Sequence, residues 1–382
     1  MSSALAIPDS ELKSLATEVK KKFDVAIADG DAYFYPSEKI TLQESEATGV
    51  AWQIRTVPAL LKKPKANDTP SQPAAEETKS QQNKSDVFAP PYVPNLLVKQ
   101  LGTDHVVLLN KFCVVPQHFL LVTRTFESQD LPPSPATLAL AYRVVSTHRS
   151  AATNTELLAF YNCGATAGAS QPHRHLQFVQ CPPLDTSSAD AVQSGRLSEH
   201  EQERIVESEY KVPVEALLER IERDGKEHES VHALPLPWQH FVVLLEPTAE
   251  MRKDEREMER YVGNKFMGLL DALFRARMVA HSEGGVHTGR PAFNVLITKR
   301  AMHLIPRSQE EFTDLPGRSD DGTVGNLSIN SLGYAGFMLT RSLDEQHALN
   351  NVPGAVQQVL RTTGVPPVAD VTVQAGLPTS SI

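Results

Sequence analysis

Cysteine is scarce in this chain of 382 residues: there are three, Cys113, Cys163 and Cys181. They form no C-x-x-C pair and leave one thiol over, which argues against a disulfide framework or a zinc ribbon and fits a reducing compartment. Long apolar runs are missing too. Nothing approaches the roughly 18 consecutive apolar residues that span a bilayer, and the opening MSSALAIPDSELKSLATEVKKKF has no apolar core of a secretory signal. A soluble protein of the cytoplasm, with the nucleus also open to it, is expected, with no membrane partner. Positive charge is in deficit, 37 Lys and Arg against 46 Asp and Glu, for a formal net charge of -9. Binding a nucleic-acid backbone depends on cations that displace condensed counterions, so a nucleic-acid partner is not expected. Small anions stay possible at a local basic or backbone-amide site.

What is present is enough apolar material, 41% of residues, to build a large core. After Pro8-Asp9-Ser10, residues 8–23 space Ala, Leu and Val as a helix does, ending at Lys20-Lys21-Lys22, a solvated terminus. From 64 to 94 the composition turns to Pro, Ala, Ser, Gln, Asn and Lys, and a mobile surface loop is expected. Runs at 106–109, 112–115 and 119–123 read as a hairpin-like succession of strands, and 134–148 opens with Ser-Pro and continues as a helix. Strands are expected at 157–161 and 174–180, flanking a Gly/Ala/Ser loop at 163–171. An acidic, helical crossover to about 225 follows, then a strand at 238–245, a strong amphipathic helix at 255–279, paired strands at 293–297 and 302–305 around a turn at 298–301, and a run from 327 to 340 leading into a final helical stretch. No clear internal sequence repeat is visible.

The chemistry concentrates in GASQPHRHLQ at 168–177. Period-2 alternation sends His173, His175 and Gln177 to one face of the strand and Leu176 and Phe178 toward the packing side. A neutral imidazole in such a row can attack phosphorus and leave again from the phosphoramidate, dividing one hard transfer into two easier ones. The small residues before it let backbone amides approach a phosphate, and Ser170 offers a hydroxyl; losing one such donor costs on the order of 3 kcal/mol in the transition state. Gln177 can bond a phosphate oxygen but cannot shuttle a proton at neutral pH, which favours transfer between phosphates over hydrolysis. Two histidines on one strand face also suit a metal, or simply pack; no third ligand is evident nearby.

The run resembles the His-x-His-x-Gln signature of the transferase branch of the histidine triad superfamily, shared by diadenosine tetraphosphate phosphorylases and galactose-1-phosphate uridylyltransferases. NKFCVVPQHFLLVT at 110–123, NVLITKR at 294–300 and NSLGYAG at 330–336 look like the fungal-type phosphorylases. The resemblance spans nearly the whole chain outside the low-complexity loop. It implies an α+β, histidine-triad-like, bilobal fold of antiparallel sheets with helices: an N-terminal catalytic part at 1–195 and a C-terminal part at 196–382 that completes the nucleotide pocket. It implies His175 as nucleophile and Gln177 as its phosphate-binding partner. Asn162 with Gly168, Ala169, Ser170 and Gln171 are implied as phosphate and ribose contacts, Asn110 and Lys111 as a substrate-binding pair, and Lys63 or Lys62 as a phosphate-contacting lysine. In the C-terminal half, Asn330, Ser331, Leu332, Phe337 and Arg341 match positions lining the nucleotide site, with Arg341 replacing a lysine; a cap, a packed ring and a solvated charge are the plainer readings of Asn330, Phe337 and Arg341.

His118 and His303 look like strand-edge histidines satisfied by backbone, and His173 orients the nucleophile or packs beside it. The implied reaction is diadenosine tetraphosphate plus phosphate giving ATP and ADP, in a monomer, with Mg2+ or another divalent cation accompanying the polyphosphate, no organic cofactor and no metal cage of the protein's own. A side activity on adenylyl sulfate is open. The alternatives are a UDP-sugar nucleotidyl transferase and a non-catalytic dinucleoside polyphosphate sensor.

Overall fold

The computed structural model describes residues 7–45, 48–62, 86–148, 155–182, 193–208, 210–223, 230–282, 289–315, 325–368 and 373–374. Helix α1 (Asp9–Ala28) buries Leu12, Leu15, Val19, Phe23 and Ala26 at three- and four-residue intervals. It runs past the 8–23 that the sequence suggests because the apolar stripe continues to Ala26, so Lys20-Lys21-Lys22 lie within it, Lys20 paired with Asp24 at 2.7 Å. The short strand β1 (Tyr33–Phe34) later pairs in parallel with β6 (Phe112–Cys113). Strands β2 (Lys39–Glu44) and β3 (Ala51–Thr56) form a small sheet with β16 (Phe337–Thr340), which comes from the far end of the chain.

One ten-stranded sheet carries the molecule. Its N-terminal strands are β4 (Leu97–Leu101), β5 (His105–Leu109), β7 (Phe119–Thr123), β8 (Glu156–Cys163) and β9 (His175–Cys181). Its C-terminal strands are β10 (Ser230–Ala233), β11 (Phe241–Leu244), β12 (Ala292–Ile297), β13 (Ala301–Arg307) and β17 (Val373–Gln374). The order is β17-β10-β11-β13-β12-β8-β9-β7-β5-β4, with every neighbouring pair antiparallel. Helix α2 (Pro135–Thr147), capped by Ser134, links β7 to β8; α3 (Glu199–Glu207) and α4 (Leu218–Arg223) lie in the crossover; and α5 (Glu255–Ser282) links β11 to β12. A ribbon of β14 (Glu311–Phe312) and β15 (Leu327–Ser328) precedes α6 (Ser331–Ala335), and α7 (Leu343–Asn351) and α8 (Ala355–Thr363) follow β16. The run from 327 to 340 is therefore strand, short helix and strand, before the helical stretch begins.

The two halves follow the same path. The chain runs β5, β7, α2, β8, β9 with spatial order β8-β9-β7-β5, and again β10, β11, α5, β12, β13 with spatial order β12-β13-β11-β10. The units meet edge to edge where β8 pairs with β12, Asn162 opposite Asn294. This is a repeat of topology that the residues do not spell out. Across 195/196 the large sheet runs continuously through the β8–β12 pair, and β16 completes a sheet begun by β2 and β3.

Alternation along the strands builds two cores. One face, including Leu176, Phe178, Val295 and Leu304, packs under α1, α2 and α5. The other, including Phe160, Val179, Leu296 and Ile305, packs against the small sheet, α4 and α6 to α8, where Trp52, Trp238 and Tyr334 meet edge to face. Of the segment expected to be a mobile loop, 86–94 is packed instead: Phe88 and Tyr92 lie against a cluster of Val106, Leu108, Leu120 and Val122. The rest of that expectation, with Lys63, falls outside the described residues, and Lys62 ends a turn of 3-10 helix, Pro58–Lys62. Among the described residues no helix is long and apolar enough to cross a membrane.

Candidate active site

His175 opens β9 and is 3% exposed. Its Nδ1 lies 2.8 Å from the carbonyl oxygen of His173. A carbonyl only accepts, so Nδ1 carries the proton and the lone pair sits on Nε2. Nε2 has no hydrogen-bond partner among the described residues. Burial pushes the imidazole down to about 4, the bond to His173 acting against that and the His173 ring with it. A ring that stays neutral at pH 7, with one nitrogen anchored and the other open, is poised as a nucleophile.

His173 holds the His175 ring through its backbone carbonyl, and its own ring is fixed separately. Its Nδ1 lies 2.7 Å from Asp86 Oδ2 and its Nε2 lies 2.7 Å from the carbonyl of Thr123. Phe88 covers both rings, 5.0 Å from that of His175 and 6.2 Å from that of His173. The peptide between them is steadied by Arg174, ion-paired with Glu127. Gln177, one alternation along, is half-buried, and its amide bonds no described residue, which leaves it available to a ligand.

The loop before His175 spends part of its bonding on itself. The Gly168 amide donates to Ala165 O at 2.8 Å and the Ala169 amide to Gly164 O at 3.2 Å. The amides of Ser170 and Gln171, with the exposed Ser170 side chain, donate to no described residue, so the donors open to an anion lie later in the loop than its glycine. Gly168 has φ +87°, and a Cβ there would stand 2.8 Å from Asn330 Cβ and 3.2 Å from Ile329 O. Only glycine allows the loop to close against the start of α6.

Asn162 is a hub beneath this loop. Its Oδ1 accepts from Asn294 Nδ2 at 2.9 Å, Ser331 Oγ at 2.6 Å and Ser331 N at 3.2 Å. Asn330 caps α6, its Oδ1 accepting from Leu332 N at 2.9 Å. Arg307 completes the network, donating to Asn294 Oδ1 at 2.8 Å, Ala167 O at 3.3 Å and Thr363 O at 3.0 Å, with Tyr334 under its guanidinium. Burial lowers its pKa below the usual arginine value.

The structure thus brings His175, Gln177, Asn162, Gly168 to Gln171 and Asn330 to Leu332 together at the junction of the two halves. Several of the expected contact residues have partners within the protein. The Asn162 and Ser331 side chains are committed to each other. Leu332 is 4% exposed and Phe337 1%, both within the second core. Arg341 folds back on the fully buried Glu345, its N–H 2.7 Å from Oε2 and its Nε 3.1 Å from Oε1. Asn110 and Lys111 sit at the far end of β5: Asn110 Nδ2 donates to His118 Nδ1 at 3.1 Å, and Lys111 lies over the Phe112 ring. His118 therefore meets a side-chain amide where backbone was expected. His303 shares a 3.0 Å hydrogen bond with His240, and burial takes it down to about 3.

Asp86, Phe88, Gln129 and Arg307 were not expected. Asp86 and Phe88 stood in a stretch whose composition signals a loop, and Gln129 and Arg307 carry no local pattern. Only the fold brings them to the surroundings of His175.

Residues 8–193 match the family model of the Ap4A phosphorylase N-terminal domain, and 234–366 that of the ATP adenylyltransferase C-terminal domain. The chain is 27% identical over 370 residues to diadenosine 5',5'''-P1,P4-tetraphosphate phosphorylase 2 of Saccharomyces cerevisiae, covering 94% of this chain and 96% of that one. It is 23% identical to protein APA1 of the same yeast, covering 92% and 94%. The crystal structure of yeast Ap4A phosphorylase Apa2 in complex with AMP matches with a TM-score of 0.62 at 25% identity, covering 93% of this chain and 99% of that one.

Proposed function

Because this chain belongs to the Ap4A phosphorylase and ATP adenylyltransferase family, we propose that it is a nucleotidyltransferase that splits diadenosine tetraphosphate with inorganic phosphate into ATP and ADP. The support is the His175 ring: Nδ1 tied to the His173 carbonyl, Nε2 open, and burial that keeps the imidazole neutral. In the first step Nε2 bonds to an α-phosphorus as the bond from that phosphorus to its bridging oxygen breaks, and ATP leaves. In the second, a phosphate oxygen bonds to the same phosphorus, the N–P bond breaks, ADP departs and neutral His175 is regenerated. Two in-line displacements give net retention at phosphorus. The Ser170 and Gln171 amides, the Ser170 hydroxyl and the Gln177 amide serve as donors to the phosphoryl oxygens.

Magnesium enters this reading as part of the polyphosphate substrate. The described residues include no group of three His, Cys, Asp or Glu side chains suited to hold it, and no step is assigned to it. The same AMP-histidine, formed from adenylyl sulfate as the bond from phosphorus to the sulfate oxygen breaks and sulfate leaves, would pass AMP to phosphate as a side activity.

The test is intact mass spectrometry of the chain mixed with diadenosine tetraphosphate and no phosphate, followed by phosphate. An AMP-sized adduct on His175, absent in His175→Ala and discharged as ADP, is expected. ATP and ADP formed without an adduct would mean direct attack by phosphate. A UDP-sugar that loads the enzyme in preference to the dinucleotide would move the substrate assignment.

A further inference from the structure

Strands β8 and β9 pair from Glu156 opposite Cys181 to Phe160 opposite Gln177. The next rung of an antiparallel ladder would join Asn162 directly to His175. A side chain stands there instead. Gln129 Oε1 accepts the His175 backbone N–H at 2.8 Å, and Gln129 Nε2 donates to Asn162 O at 2.9 Å and to His175 O at 3.3 Å. Gln129 is 1% exposed. Its own backbone is tied to the same region: its N–H donates to Pro172 O at 2.8 Å, and its carbonyl accepts from Gly164 N at 3.2 Å and from the Tyr161 hydroxyl at 2.9 Å.

We propose that Gln129 is a positioning residue for AMP transfer, a carboxamide inserted into the sheet that parts β9 from β8 at the nucleophile and fixes the His175 backbone so that Nε2 faces the phosphorus. This rests on His175 being the nucleophile. Directly paired strands lie about 4.8 Å apart, and a side-chain amide placed between them holds them wider, opening the sheet where a phosphate must enter. Of the two N–H groups and two carbonyls of such a rung, Gln129 meets three, the His175 N–H and both carbonyls, and leaving those three buried groups unpaired would be costly. A primary amide offers one acceptor and two donors, a complete match. A carboxylate would face two carbonyl oxygens. A protonated carboxyl restores the acceptor and one donor, and Asn, one methylene shorter, does not span the gap.

The experiment follows AMP-adduct formation on the full chain from diadenosine tetraphosphate without phosphate, between pH 5 and 8, for wild type, Gln129→Glu and Gln129→Asn, with thermal unfolding alongside. A displacement of about 1 Å costs on the order of 100-fold in such a reaction, and that loss is expected in the maximal rate of both variants at pH 8, with half-saturation little changed. A buried Glu has a raised pKa. Gln129→Glu should therefore regain roughly tenfold or more against wild type as pH falls to 5, while the deficit of Gln129→Asn stays constant. Wild-type rates in either variant, or a Gln129→Glu deficit that does not shrink on acidification, would overturn the proposal. If Gln129→Asn does not fold, the pH ratio of Gln129→Glu decides alone; if neither folds as wild type does, Gln129 is structural and the proposal fails. Wild type that neither forms an adduct nor consumes the dinucleotide would overturn the reading of function, a result distinct from active wild type with unaffected variants.

Discussion

At the scale of single residues, the decisive quantity is the protonation of His175. In the proposed mechanism the reactive form is the neutral ring, present above its pKa, which burial lowers to about 4. An ordinary histidine would lose its nucleophile as pH falls through about 6.5. This one should keep it: the maximal rate of adduct formation is expected to be flat from pH 8 to about 5.5 and to decline only as pH approaches 4. Diadenosine tetraphosphate has no terminal phosphate titrating in that range, so the profile reports the enzyme. A midpoint near 6.5 in a rapid-quench series would show that the ring is not desolvated as the structure has it.

At the scale of elements, the site depends on loops that meet strand ends at close range. The sequence places the strand that carries His175 behind a loop rich in small residues, and both exist, β8 running over 156–163 where 157–161 was expected and β9 shifted by one residue, to 175–181 from 174–180. That Gly168 approaches Asn330 is a fact about two distant segments. Gly168→Ala puts a side chain at φ +87° and a Cβ 2.8 Å from Asn330 Cβ. The backbone strain and the clash together are expected to destabilise the fold by roughly 1–3 kcal/mol and to weaken substrate half-saturation, because the loop is pushed off the α6 N-terminus. Denaturant unfolding and initial rates measure the two; unchanged values in both would mean that the loop and α6 move apart freely.

At the scale of the whole molecule, burial of imidazoles makes the fold sensitive to acid. His105, His148, His175, His240 and His303 all have folded-state pKa values below the ordinary one, burial being the first cause in each. The unfolded chain therefore binds more protons than the folded chain below about pH 6.5, and stability falls as pH falls. Each of His175 and His303 should remove on the order of 1–2 kcal/mol between pH 6.5 and 5. Calorimetry should find Tm constant from pH 8 to 7 and dropping steadily below 6.5. A Tm unchanged down to pH 5 would contradict the buried, neutral state of these rings.

The sequence by itself determined elements and a motif: the helices at 134–148 and 255–279, the strand that carries His175, and the His-x-His-x-Gln row. Those signals are local, since periodicity and capping act between residues a few positions apart. The tertiary structure decided the rest. The two halves trace the same topology, with Asn162 facing Asn294 across their shared edge. In the second half Ile305 is the cross-strand partner of Asn294, the place that His175 takes beside Asn162 when the β8–β9 register is carried past its last pair. One half thus carries a histidine there and the other an isoleucine. Gln129 in the sheet, Phe88 over the nucleophile and the Arg307 network are likewise outside the reach of sequence pattern, because each joins residues brought together only when long-range strand pairing closes.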